Sequence, residues 1–160
     1  MSKIEVNEIA RRSGSSPISI PGHVIQTVYA TQAGQATTTS TSFVDTSLAA
    51  TITPTSASNK ILVIANVNMY GDTNDIHSVC TVYRGTISGT NLGNGDWGIG
   101  GSYAGATAVK NAVSCAILDS PSTTSAQTYT VAIRRNGSSG TMYMNVNGER
   151  STIVLQEIAQ

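Results

Sequence analysis

The chain predicts an all-β fold, an antiparallel, jelly-roll-like sandwich preceded by an extended N-terminal arm, and three observations carry that expectation. Of its 160 residues 41 are Ser or Thr, while only 11% are Asp, Glu, Lys or Arg, well under the roughly 25% of an ordinary soluble domain. Such a surface is wetted by hydroxyls and amides, and β-branched threonine suits a pleated, half-buried strand better than a helix. Apolar residues then alternate with period two in run after run, and Gly, Pro and Asn punctuate the runs. With 39% hydrophobic residues and zero formal net charge the composition is that of a folded chain, and the length suits one domain with a short appendage.

Residues 1–22 differ in texture from the rest. Lys3, Glu5, Glu8, Arg11 and Arg12 are five of the 18 charges, and Ser13 to Ser16 and two prolines follow. Ile4, Val6 and Ile9 fit a short helix opened by Ser2 with Glu5 three residues on, while Ile4 and Val6 equally fit one face of a strand. Pro17 and Pro21 bracket Ile18 and Ile20 and favour an extended course there. The segment reads as an arm, 1–22, that borrows a partner surface for its isoleucines; 23–160 reads as the β domain.

Within that domain, strands are expected over 24–31 and 41–53, the second with Leu48, Ala50 and Ile52 alternating up to Pro54. Residues 60–70 give the clearest strand. Ile61, Val63, Ala65, Val67 and Met69 share one face, Asn66 and Asn68 the other, and the early Leu62 and Ile64 imply burial on both faces. Residues 76–84 and 109–118 follow the same period, with Val113, Cys115 and Ile117 on one side and Pro121 beyond. Near the end, Tyr129, Val131 and Ile133 alternate up to Asn136-Gly137, and Met142, Met144 and Val146 up to Asn147-Gly148. Asn-Gly is the strongest short hairpin signal, so 129–135, 141–146 and 151–158 are expected to form an antiparallel meander.

Residues 85–105 hold eight of the 15 glycines, the single tryptophan Trp97, and Tyr103. Long loops in compact domains usually carry function, and a Trp among polar amides suits stacking on a sugar ring or docking a protein, so Trp97 and Tyr103 are the candidate surface-recognition residues. The competing reading makes Trp97 a plug in the core or in a subunit contact.

Other motifs do not reach chemistry. Gly93, Gly95 and Gly98 match a dinucleotide-binding spacing, but no helix follows, and the stretch from Gly100 to Gly105 misses a nucleophile elbow by one residue. His23 and His77, the only histidines, are too few for a zinc site with cysteines so far apart. Asp72, Asn74 and Asp75 lack the glycine and distal glutamate of a calcium loop and read as a polar turn. Adjacent Arg134 and Arg135 point to opposite faces of a strand and make no basic patch. Asn136-Gly137-Ser138 spells a glycosylation acceptor, but without a secretion signal the turn reading prevails. Cys80 and Cys115 sit in strand-like runs and read as buried thiols; a disulfide between neighbouring strands is the alternative, which spacing does not decide. No catalytic residue, metal site or cofactor is expected. Zero net charge offers no pull toward nucleic acid, and no apolar run approaches the roughly 20 residues that would span a bilayer.

The opening Ser2-Lys3-Ile4-Glu5-Val6-Asn7-Glu8-Ile9, with Ser13-Gly14 and Ile18-Ser19-Ile20-Pro21, resembles the N-terminus of small fibre-like virion proteins of tailed bacteriophages, those of cyanobacteria and marine bacteria in particular. Phe43-Val44-Asp45-Thr46, Thr51-Ile52-Thr53-Pro54, Ser58-Asn59-Lys60-Ile61-Leu62-Val63, Ser151-Thr152-Ile153 and Gln156-Glu157-Ile158 look like the β domain of those proteins. The resemblance implies a non-enzymatic structural protein made in the host bacterial cytoplasm and located in the virion. The arm, through Ile4, Val6, Ile9, Ile18 and Ile20, would dock on another virion protein. The β domain would form a homotrimer and expose a surface for host adhesion, a surface glycan being the candidate ligand. No shaft, heptad run or collagen-like repeat separates arm from β domain, which brings in a compact tail tip, a head fibre or a capsid cement protein stabilising the head. A carbohydrate-active depolymerase on the same fold is the alternative from another class; it would need clustered carboxylates, and Asp72, Asp75 and Asp96 are the ones its loops offer.

Overall fold

The computed structural model describes residues 20–105 and 107–160. Ile4, Val6, Ile9 and Ile18 therefore lie outside the described residues; Ile20 is exposed. Period-two alternation becomes strand nearly wherever it occurs: β1 (Val24–Gln32), β2 (Ala36–Thr38), β3 (Val44–Ile52), β4 (Lys60–Gly71), β5 (Ile76–Arg84), β6 (Thr90–Asn91), β7 (Gly100–Ala104), β8 (Val109–Asp119), β9 (Gln127–Asn136), β10 (Met142–Met144) and β11 (Ser151–Ile158). Among the described residues the one helical element is a 3-10 turn, Val146–Gly148.

Two antiparallel sheets face each other across one core. In the first, β4 is paired along one side by β8 and along the other by β11 and then β10; β1 adds to β11 and β2 to β10. In the second the order is β3, β9, β5, with β7 and β6 sharing the far side of β5. The chain passes from one sheet to the other at most of its connections, in the manner of a jelly roll. Inward positions match the sequence pattern: Leu48 and Ile52 of β3, Ile61 to Met69 of β4, Tyr129, Val131 and Ile133 of β9, and Met142 and Met144 of β10 all belong to one buried cluster. Burying a leucine or isoleucine of this kind is worth about 1.5–3 kcal/mol, so the inner faces supply most of the driving force.

Two expectations need correction. The last three strands do not form a meander: β9 belongs to the second sheet, whereas β10 and β11 both pair with β4 in the first. Asn136 ends β9 as an ordinary strand residue, and Gly137 begins a crossover between sheets; the Asn-Gly at 147 and 148 does take positive φ, but inside the 3-10 turn. Local turn preference was met in backbone sign at Asn147-Gly148 but not at Asn136, while burial of Met142 and Met144 against β4 decided the partner. Leu62 and Ile64 are partly rather than fully buried on their outer side.

Cys80 of β5 and Cys115 of β8 are free thiols in the described structure. Burial, with the neighbouring Cys115 adding to it, pushes the Cys80 thiol up to about 12, and burial raises Cys115 as well. Cys80 Sγ donates to the Gly100 carbonyl at 3.6 Å.

Polar ties close the ends of the sandwich. Buried Glu157 on β11 accepts from Gln26 Nε2 at 2.6 Å, Thr55 N at 2.7 Å, Thr55 Oγ1 at 2.8 Å and Asn59 Nδ2 at 2.7 Å, so one carboxylate joins β1, the β3–β4 connection and β11 through neutral donors. At another corner Arg84 Nη1 donates to both oxygens of Asp119, at 3.0 and 2.9 Å, and Tyr129 Oη donates to Asp119 Oδ2 at 2.7 Å. Burial, then the bond to Asp119, raises the Tyr129 hydroxyl and keeps it a donor.

Burial alone would raise the Glu157 carboxyl, but bonds from Asn59, Gln26 and Thr55 outweigh it and hold the group below its ordinary value of 4.5. The unfolded chain thus binds this proton more readily than the folded one, and the contribution is complete above pH 4.5 and lost as pH falls through the lowered folded value. Glu157→Gln turns an acceptor toward donors; urea unfolding at neutral pH should show a loss of about 2–3 kcal/mol, with a shallower fall in stability on acidification than the parent.

Candidate functional site

The outer face of the second sheet carries a second, smaller core. On β5 the residues opposite to the inward Cys80 and Val82 are His77, Val79, Thr81 and Tyr83; in register beside them stand Arg134, Ala132 and Thr130 of β9, and Tyr103 and Gly101 of β7. Val79, Thr81, Ala132 and Thr130 are buried although they face away from the main core. Phe43 meets Tyr83 edge to face with centroids 6.1 Å apart, and the Arg134 guanidinium lies 5.4 Å above the Phe43 ring.

The glycine-rich segment covers the rest. Leu92 N donates to Val82 O and Ile99 N to Cys80 O, both at 2.9 Å, and Asn94 and Gly98 bridge to each other between them. Its glycines are there for close approach: a Cβ at Gly98, where φ is +58°, would stand 2.1 Å from the Cys80 carbonyl oxygen, and one at Gly101 2.5 Å from that of Ser78. Asn91 Oδ1 accepts from Thr81 Oγ1 at 2.5 Å and from Gly93 N at 2.9 Å. Asn94 Oδ1 accepts from Asp96 N at 2.8 Å and Trp97 N at 2.9 Å, an Asx turn that sets where Trp97 leaves the backbone. The segment is a fitted cover.

Trp97 and Tyr103, the two residues singled out in the sequence, meet there through a third. His77 stacks on Tyr103 with centroids 4.4 Å apart and meets Trp97 edge to face at 5.0 Å. Trp97 keeps 52% and Tyr103 51% of its surface open, so neither plugs the core of this chain. With Val79, Gly100, Gly101 and Ser102 they line a hollow of about 310 Å³, near the lower end of the range for small-ligand sites. Tyr103 Oη donates to Asp75 Oδ1 at 3.0 Å, and that bond, followed by the carboxylate's charge, raises the phenol and keeps its proton in place. Asp96 is exposed on the rim, 3.9 Å from Arg134 Nη1.

Sequence reasoning missed His77, Phe43 and Tyr83. His77 and Tyr103 become neighbours only through the β5–β7 register, which no local pattern announces. The third carboxylate expected in loops, Asp72, accepts from Thr141 N at 2.7 Å and Tyr143 Oη at 3.3 Å, so Asp72, Asp75 and Asp96 each serve a separate structural contact. A larger hollow of about 480 Å³ lies beside Arg84, Thr86, Thr90 and Gln127; it has no aromatic wall, and its arginine is tied to Asp119. Neither a protein-family model nor a curated protein matches the chain.

Gly98→Ala sets a Cβ against the Cys80 carbonyl and at a φ of +58°, so it should lift the cover, shift Trp97 emission to the red and cost more than about 1 kcal/mol. Gly95→Ala, with nothing within 4 Å of its Cβ, should leave both the emission and the unfolding midpoint unchanged.

Proposed function

We propose that the chain is a non-enzymatic structural protein of a tailed-phage virion: a short homotrimeric fibre that docks by its N-terminal arm and uses the His77, Trp97 and Tyr103 cluster to adhere to a host-surface glycan. The observation that carries adhesion is the convergence of three rings, two of them half-open, around a hollow of about 310 Å³. A pyranose offers an apolar C–H face for a ring and hydroxyls for polar neighbours, and this site supplies both in Trp97 and Tyr103 with Ser102 and Asp75 beside them. Anchoring by Asn94 and by the sheet backbone holds the rings in place before a ligand arrives, which lowers the ordering cost of binding. Attachment to a virion rests on the resemblance of the opening residues and of the β-domain motifs to phage fibre proteins. The carboxylates that a depolymerase would draw on, Asp72, Asp75 and Asp96, have separate partners in Thr141, Tyr103 and Arg134.

Trp97→Ala and Tyr103→Ala should each reduce binding to host cells or to their purified surface polysaccharide by tenfold or more, with circular dichroism and assembly mass unchanged. Full binding by a folded Trp97→Ala protein would remove this site from the proposal. Immunogold labelling of particles with antibody to 23–160 is expected on the tail; label over the head would instead favour the decoration role.

A further inference from the structure

The outer face of the first sheet should be polar if it meets only water, yet one of its rows is apolar throughout and the next is apolar over half its length. Cross-strand register aligns Tyr29 of β1, Val154 of β11, Ile64 of β4 and Ala116 of β8 in one row, apolar from edge to edge. The next row aligns Thr27, Gln156, Leu62 and Leu118, and Ile158 follows Gln156 on the same face of β11. Tyr29 is 71% and Leu118 54% exposed, and Leu62, Ile64 and Val154 between them are partly buried. On the other side the stripe is bounded by Thr31, Thr152, Asn66 and Ser114, where Ser114 Oγ donates to Asn66 Oδ1 at 2.5 Å. Antiparallel sheets with one wet face normally alternate apolar and polar residues; here the central strand β4 is apolar on both faces over its first half.

We infer that this face is the contact between copies of the chain in the assembly, with Tyr29 and Leu118 as anchors at its two edges. The inference rests on the proposed assembly, and three features of the face favour a second copy as occupant. The two rows carry no charged side chain; Lys110, further along β8, is neutralised by Glu149 at 2.8 Å, and Lys60, opposite Ile158, lies one row outside them, so a strongly acidic or basic partner finds little counterpart on the rows themselves. Size agrees too: the whole outer face, four strands about 4.8 Å apart along the 12 residues of β4, spans on the order of 750 Å², close to the roughly 800 Å² each partner contributes to a standard interface, with the two rows as roughly a third of it and the polar rows as its rim. The bordering Thr, Asn and Ser side chains donate as well as accept, so they can pair with side chains of the same kinds on a neighbouring copy. A largely exposed tyrosine at the edge of an apolar strip is also of the residue type enriched among the anchors of interfaces.

The test is sedimentation velocity on the full chain at low and high concentration, for the parent, for Tyr29→Lys with Leu118→Lys, and for Ile64→Lys. The two edge positions are open in a single chain, so that double variant should keep the parent's circular dichroism even if Ile64→Lys fails to fold. The expected result is a parent mass that is a multiple of 16.6 kDa and a shift to single chains in the edge variant, with apparent dissociation at least tenfold easier. An assembly that survives both lysines overturns this face but leaves the homotrimer standing. A parent that sediments as single chains at every concentration overturns both. Benzoylphenylalanine at position 29 of the full chain separates the occupants: a cross-link between chains supports the inference, and a cross-link within one chain to residues 1–19 overturns it in favour of the arm.

Discussion

Strand β4 is the constraint on which the rest of the molecule depends. It is hydrogen-bonded along both sides, to β8 on one and to β11 and β10 on the other, and its inward residues from Ile61 to Met69 are all buried. Period two in a strand leaves no freedom of rotation: once Ile61, Val63 and Ala65 face the core, Leu62 and Ile64 must face outward. The unusual apolar outer face is thus fixed by the same register that builds the core, and a one-residue slip would exchange the two.

A chain with so few charges also uses them sparingly and in company. Glu157 is held by amide, hydroxyl and backbone donors, and Asp119 by Arg84 and Tyr129. Both carboxylates bind segments distant in sequence, so each acts as a fastener between elements that apolar packing orients only loosely. A buried carboxylate satisfied by several donors is specific in geometry in a way that leucine against isoleucine is not. The hydroxyl-rich composition works to the same end, for Thr46 Oγ1 reaches Val131 O at 2.7 Å and Ser151 Oγ reaches Asn145 Oδ1 at 2.7 Å.

Much of the fold was legible in the sequence because it is written in period two. The inward faces of β3, β4 and β8 could be named residue by residue, since alternation and burial are there the same fact seen twice, whereas in β9 the outer Thr130 and Ala132 are buried too, which alternation does not announce. Pairing partners could not. Asn136-Gly137 suggested a hairpin by its backbone preference, yet the destination of β10 is decided by contacts with Met69 and Gly71, more than seventy residues away. The same holds at the aromatic cluster. Trp97 and Tyr103 stood out by rarity within a glycine-rich stretch, while His77 carried no local mark and reached them only through sheet register.

The close fit of the glycine-rich cover has a consequence for how such a surface can vary. Gly98 and Gly101 press on the main chain of β5 and admit no side chain, whereas Gly95 faces open space and Asp96 and Trp97 project outward. Residues that set the frame and residues that face the outside are therefore interleaved yet chemically independent. Selection can rewrite the outward set one residue at a time, changing what is contacted without disturbing the scaffold, as long as the framing glycines stay.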